Sequence, residues 1–317
     1  MNKNASIIIF LFSFIFCSFF ISCRKFEDTR EDGAVLIDID IKGSHQNPAW
    51  SPNGQYVVFT KFKKYNKEPA DIMKICLSDN SVTTLVSDGT CNVNLPGSSW
   101  NDSLGKIIFS SSREPHDEIY MIDANGTSGA ETQVTNRSDK MAYEPSFSPD
   151  GQWIVFESHL VDQEGNGVIT KYKLDGSSGY TSLTPENDDC RQPNWSPKGD
   201  YILYQRNNGS TWEIWIIKPD GTGNTQVTSG SGDKTDASFS PDGNWIVYSS
   251  NELDEDHANI FIIPVTGGAS TRVTNFKGYD GAPSWSPDGN YIIFESCPKD
   301  PDGSKGTKLY KILVPPH

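Results

Sequence analysis

Glu144 and Asp236 occupy equivalent places in the chain, each three residues before a phenylalanine, Phe147 or Phe239, that opens the sequence Phe-Ser-Pro-Asp-Gly. The same place before related segments holds Asn47, Gly97, Gln192 and Ala282, so four of these six residues are polar. Arg191, Asp280, His45, Tyr143 and Tyr279 stand close by in sequence. Carboxylate and amide oxygens gathered at one opening can ligate a hard cation such as Ca²⁺, or accept hydrogen bonds from a basic peptide or a sugar. The segments lack the loop signature of an EF-hand, and polar residues lining a water-filled channel also bond to one another and to water.

The elements that must position these residues are visible as an internal repeat. Trp50-Ser51-Pro52-Asn53-Gly54 recurs as Trp100-Asn101-Asp102-Ser103, Phe147-Ser148-Pro149-Asp150-Gly151, Trp195-Ser196-Pro197-Lys198-Gly199, Phe239-Ser240-Pro241-Asp242-Gly243 and Trp285-Ser286-Pro287-Asp288-Gly289. Successive aromatics lie 50, 47, 48, 44 and 46 residues apart, the period of four-stranded propeller blades rather than of helical repeats. Proline presets φ and glycine accepts positive φ, so each Pro-Asp-Gly reads as the hairpin between a blade's first and second strands. Apolar runs such as Trp153–Phe156 and Ile169–Leu174 supply second and third strands, and Thr-rich segments such as Thr181–Thr184 supply the fourth. The sixth copy has no fourth strand of its own. Val35–Ile41 alternates apolar and acidic residues before the first copy and stands where a fourth strand would, so Leu36–Ile41 is expected to complete blade six and close the ring.

Six repeats of the Trp-Ser-Pro-Asp-Gly kind resemble the TolB-like, WD40-like (PD40) β-propellers. The resemblance covers nearly all of residues 34–317 and implies an all-β, six-bladed β-propeller of four-stranded blades, with ligands taken at the channel-mouth face. The second copy departs most, Asn101-Asp102 replacing Ser-Pro. TolB itself carries a separate α/β domain before its propeller, whereas residues 24–33 separate the first strand from Cys23, so only roles of the propeller carry over. Similar propellers also occur in oligogalacturonate lyases, which hold manganese with clustered His and Gln, and in the non-catalytic part of prolyl oligopeptidases.

The first 22 residues hold Lys3 and an apolar run from Ile7 to Ile21, an export signal in form. Phe20-Ile21-Ser22-Cys23 resembles the lipobox of bacterial lipoproteins, which implies cleavage before Cys23, lipid attachment there, and residues 23–33 as a tether. Acyl chains contribute about 0.8 kcal/mol per buried CH₂, enough when several are present to hold the protein on a membrane. Export permits disulfides, and Cys76, Cys91, Cys190 and Cys297 allow three pairings.

The formal charge of −14 becomes −15 when Lys3 leaves with the signal, which excludes nucleic acid as a natural partner and favours cations, basic peptides or neutral ligands. No His-x-x-x-His or His-Glu-x-x-His unit and no Gly-x-Ser-x-Gly elbow occurs. The expectation is therefore a non-enzymatic, monomeric lipoprotein of the bacterial cell envelope, anchored at the outer membrane, without catalytic or metal residues. It holds a protein partner through Asn47, Glu144, Gln192, Asp236, Arg191 and Asp280. It requires no cofactor, though Ca²⁺ in the channel is compatible with the oxygens present. A carbohydrate-active or sugar-binding propeller of the oligogalacturonate-lyase kind is the alternative.

Overall fold

The computed structural model describes residues 28–64, 67–87, 99–113, 115–161, 165–298 and 306–317. Its strands form six four-stranded antiparallel sheets, the blades of a β-propeller. Five blades use consecutive strands. The sixth pairs Gly278–Trp285, Tyr291–Pro298 and Lys308–Leu313 with an outer strand, Val35–Leu36, from the other end of the chain. Leu36 lies opposite Tyr310, and the Ile37 N–H continues the ladder to the Leu309 carbonyl at 2.9 Å. The closing strand is thus where expected, but it is shorter than Leu36–Ile41. Ile37 and Ile39 turn instead into the apolar seam between blades six and one. The export signal and Cys23 lie outside the described residues.

The repeated turn has a physical basis in its serine. The Ser148 hydroxyl accepts the Trp153 N–H at 2.9 Å and donates to Asp150 Oδ1 at 2.5 Å, while Asp150 also accepts the Gln152 N–H at 3.0 Å. Ser51 with Asn53, Ser240 with Asp242 and Ser286 with Asp288 repeat the arrangement. In blade two Asn101 takes over, accepting from the Ser103 hydroxyl at 2.8 Å and the Leu104 N–H at 3.0 Å. The Thr-rich fourth strands end in a buried threonine, whose hydroxyl accepts an N–H from the third strand: Thr135 from Ile119, Thr184 from Ile169, Thr228 from Ile214 and Thr274 from Ile260. Turn and strand end are thereby satisfied without water.

Apolar burial is distributed among the junctions between blades. Six clusters each join one blade to the next: Val58 and Ile72 meet Phe109 and Tyr120, Ile108 and Ile119 meet Phe147 and Phe156, and so on round the ring. The last joins Ile293 and Leu309 to Phe59 and Ile75. The repeat aromatics Phe147, Trp195, Phe239 and Trp285 are buried in these junctions, so they pack blades and offer no stacking platform to a sugar.

A single cation secures the chain end. Thr29 bridges Val35, and between them Arg30 turns inward to a site where its side chain is 4% exposed. Its guanidinium donates to both oxygens of Asp280, at 2.7 and 2.9 Å, and to Ser296 and Asp32. It lies 4.0 Å from the centre of the Phe276 ring. Asp32 in turn accepts the Asn275 N–H at 3.0 Å. The fold therefore depends on a tie between residues 250 positions apart. Breaking one side of a buried ion pair strands the other charge, so Arg30→Leu is expected to cost about 3–5 kcal/mol in chemical denaturation. Arg30→Leu combined with Asp280→Leu is expected to recover much of that loss.

Among the described cysteines, Cys76 and Cys190 are free thiols and Cys297 is disulfide-bonded. Burial pushes the Cys190 thiol up to about 12. Iodoacetamide should therefore label Cys76 in the native protein and reach Cys190 only after denaturation.

Candidate functional site

The innermost strands of blades three, four, five, six and one stand side by side round the channel, each contacting the next. These five break register at the same point, between Gln46 and Ala49, Tyr143 and Ser146, Arg191 and Asn194, Thr235 and Ser238, and Gly281 and Ser284. Within each break the residue three before the repeat aromatic has left-handed backbone: Asn47 (φ 52°), Glu144 (49°), Gln192 (52°), Asp236 (53°) and Ala282 (46°). Gly97, the blade-two equivalent, lies outside the described residues. A bulge re-aims the chain, and non-glycine residues hold positive φ only where the surroundings over-determine it.

The consequence is a set of bonds running from blade to blade. The Gln192 N–H donates to Glu157 Oε2 at 3.0 Å, the Asp236 N–H to Gln192 Oε1 at 2.9 Å, and the Asn47 N–H to Glu295 Oε2 at 2.9 Å. The Ala282 N–H bonds to the Asp236 carboxylate. Gln192 Nε2 donates to Asp236 Oδ1 at 2.9 Å and to Glu144 Oε1 at 3.4 Å, spanning three blades with one amide. Glu144, Gln192 and Asp236 are thus joined to one another, while Asn47 is tied to Glu295.

Asp280 is not among them. It lies five residues before Trp285, where the equivalent residues His45, Ala142, Cys190 and Lys234 are likewise buried within the blades. Its carboxylate is fully buried, with both oxygens held by Arg30, so the structure does not bring it to the other candidate residues. Arg191 stays at the mouth but is bidentate on Asp189, at 2.9 and 3.0 Å, with its guanidinium 5.1 Å from the Trp212 ring centre.

The family model described as the TolB beta propeller domain (PD40) matches residues 41–255. The chain belongs to the TolB β-propeller family. The Tol-Pal system protein TolB of Francisella tularensis subsp. holarctica (strain OSU18) is 30% identical over 176 residues, which span 56% of this chain and 38% of that protein. The chain is therefore aligned with well under half of the length of that TolB. Among solved structures, TolB from Acinetobacter baumannii superimposes with a TM-score of 0.61 at 17% identity, covering 88% of this chain and 65% of the other. An oligogalacturonate lyase in complex with manganese gives 0.55 at 18% identity, covering 87% and 78%. At such identities these likenesses speak for the fold.

In this TolB β-propeller the mouth also contains two carboxylates that the first-strand pattern does not reveal, Glu157 and Glu295. Each lies on a second strand, opposite Tyr143 and Gly281 respectively. A signal for them exists, since Phe156-Glu157-Ser158 and Phe294-Glu295-Ser296 are the same three residues at the same place in two repeats. Burial, then the nearby charges of Glu157 and Asp236, raise the Glu144 carboxyl well above its ordinary value. Burial raises Asp236 too, and pushes Glu295 up to about 8 despite the Asn47 N–H. Burial pulls His159 down, but its bond to Glu157 outweighs this and leaves it raised.

The rim histidines do not converge. His116 pairs with Glu118, His159 with Glu157 and His257 with Asp254. Among the described residues no group of three or more His, Cys, Asp or Glu is arranged to hold a metal ion. The oxygens available to Ca²⁺ are largely taken by N–H donors, and the Gln192 amide donates into the space between Glu144 and Asp236.

A carboxyl with a raised folded-state pKa keeps its proton after the unfolded chain, near about 4.3, has lost it. Stability from these groups is whole below that value and falls as pH rises towards the folded value. The melting temperature should therefore fall from about pH 5 to about pH 8, and Glu295→Gln should flatten the fall in a calorimetric series.

Proposed function

We propose that this chain is a non-enzymatic scaffold of the bacterial cell envelope that holds a protein partner at the channel mouth. Lipid on Cys23 anchors it, at the outer membrane, and the propeller acts as a monomer. The observation that carries the reading is the acidic mouth itself. Glu144, Glu157, Asp236 and Glu295 gather round one opening, Gln192 and Asp236 are partly exposed there, and the one arginine near them is already held by Asp189. A chain of net charge −14 attracts a basic protein surface, and a cation arriving at the mouth draws the raised carboxyls Glu144, Asp236 and Glu295 towards their charged forms.

Family membership supports the reading, as TolB relatives carry the name of the Tol-Pal system. The geometry speaks against a lyase of the manganese-binding kind, because His116, His159 and His257 are each spent on a separate carboxylate. Left-handed backbone repeated at the mouth positions Asn47, Glu144, Gln192, Asp236 and Ala282 fits a site held ready for a partner.

The test is affinity capture of the native protein from its membranes beside a Glu144→Ala/Asp236→Ala double variant, with bound proteins identified by mass spectrometry. A partner retained by the native protein and lost by a variant that still folds is the expected result. Equal capture by both baits moves the protein-binding face away from the mouth.

A further inference from the structure

Glu144 is 9% exposed, and one of its two oxygens has no partner. Oε1 accepts from Gln192, while Oε2 is buried and unengaged. The groups that face it are Glu157 from the second strand of its own blade, Gln192 and Arg191 from the inner strand of blade four, and Asp236 from that of blade five. Two of these are further carboxylates. Arg191 is committed to Asp189 and Trp212, and His159 to Glu157. A buried carboxylate oxygen without a donor is costly, so the site gains from any cation that can reach it through the partly exposed edge formed by Gln192 and Asp236.

We propose that Glu144 Oε2 receives a single basic side chain, a lysine ammonium or an arginine guanidinium, inserted into the channel mouth by the protein partner. This rests on the protein-binding reading of the mouth and specifies its chemistry. A divalent metal suits the site less well. Ca²⁺ takes about six to eight oxygen ligands, whereas here Glu157 Oε2, Glu295 Oε2 and Asp236 Oδ1 already accept N–H groups and the Gln192 amide points its donors at the centre. One unengaged acceptor among several charges of the same sign suits one N–H donor that also carries positive charge. Because burial raises the affinity of Glu144 for its proton, an incoming cation competes with that proton, and binding strengthens as pH rises.

The experiment is calorimetric titration of the purified full-length protein with N-acetyl-lysine methylamide, N-acetyl-arginine methylamide, the uncharged N-acetyl-norleucine methylamide and, separately, CaCl₂. Each is run at about pH 6 and about pH 8, since competition from the proton weakens as pH rises. Binding of a basic amide, tighter at the higher pH, absent for norleucine and weakened at least about tenfold in Glu144→Gln, is the expected result. Asp236→Asn, which removes the neighbouring charge and keeps the shape, should weaken it less. Binding unchanged in Glu144→Gln overturns the proposal, as does equal binding of norleucine, Ca²⁺ binding without either basic amide, or no binding of either basic amide. If that happens while the Glu144→Ala/Asp236→Ala variant still loses its captured partner, the mouth remains a protein-binding face and only the inserted cation is removed.

Discussion

Each blade of this protein carries apolar residues on both faces, and neither face can be left to water. Val57 and Phe59 pack towards blade six while Val58 and Ile72 pack towards blade two, so blade one is stable only between two neighbours. Applied to every blade, this condition is met only by a closed ring. Closure in turn requires that the seam be as well joined as the other junctions. Val35–Leu36 completes the blade-six ladder, and Arg30, Asp32 and Asp280 hold that strand from within. Fully buried ion pairs contribute little net stability when they are compared with apolar packing, but they are specific about what they join. Here that specificity selects one register for a strand of two residues, which backbone bonds alone would hold weakly.

The ring also dictates the mouth. Six inner strands converge on one axis, and their N–H groups at the channel have no fifth strand to pair with. Left-handed backbone at Asn47, Gln192, Asp236 and Ala282 turns those N–H groups sideways to an acceptor on the preceding blade. The acceptors are therefore acids and amides, and the concentration of carboxylates at the mouth follows from a backbone need. The same geometry buries Glu144 and Glu295, half-buries Asp236, and raises their affinity for protons.

The blade count and the strand order were legible because turn chemistry is local: Ser, Pro, Asp or Asn, and Gly at fixed offsets repeat the same hydrogen bonds in four of the copies. Blade two was legible through Trp100, Ile107 and Phe109 although Asn101 replaces the serine, because the side-chain oxygen of Asn101 accepts from Ser103 and Leu104 and so holds the turn. The mouth was half legible. On a regular strand residues two apart share a face, which puts Asp280 beside the position of Ala282; the bulge between them separates the two, and Asp280 turns into the blade. Arg30, its partner 250 residues away, has no local signal at all. Glu157 and Glu295 had one, but it lay on the second strand, away from the aromatic that marks the repeat.

The equivalent positions also separate what the fold requires from what it merely tolerates. Ala282 shows that the left-handed position needs only its backbone, since its N–H reaches Asp236 with no help from a side chain. Gln192 shows that an amide there can be satisfied at both ends, giving its N–H groups to Glu144 and Asp236 and taking the Asp236 N–H in return. An amide at position 144 would fill the same volume without adding a carboxylate beside Glu157 and Asp236. The acid at this position, with an oxygen that the scaffold leaves unengaged, is thus not explained by ring closure, blade packing or the inter-blade bonds. What distinguishes it from Gln192 is the ability to carry charge, and that property has a use only towards something that brings the opposite charge to the mouth.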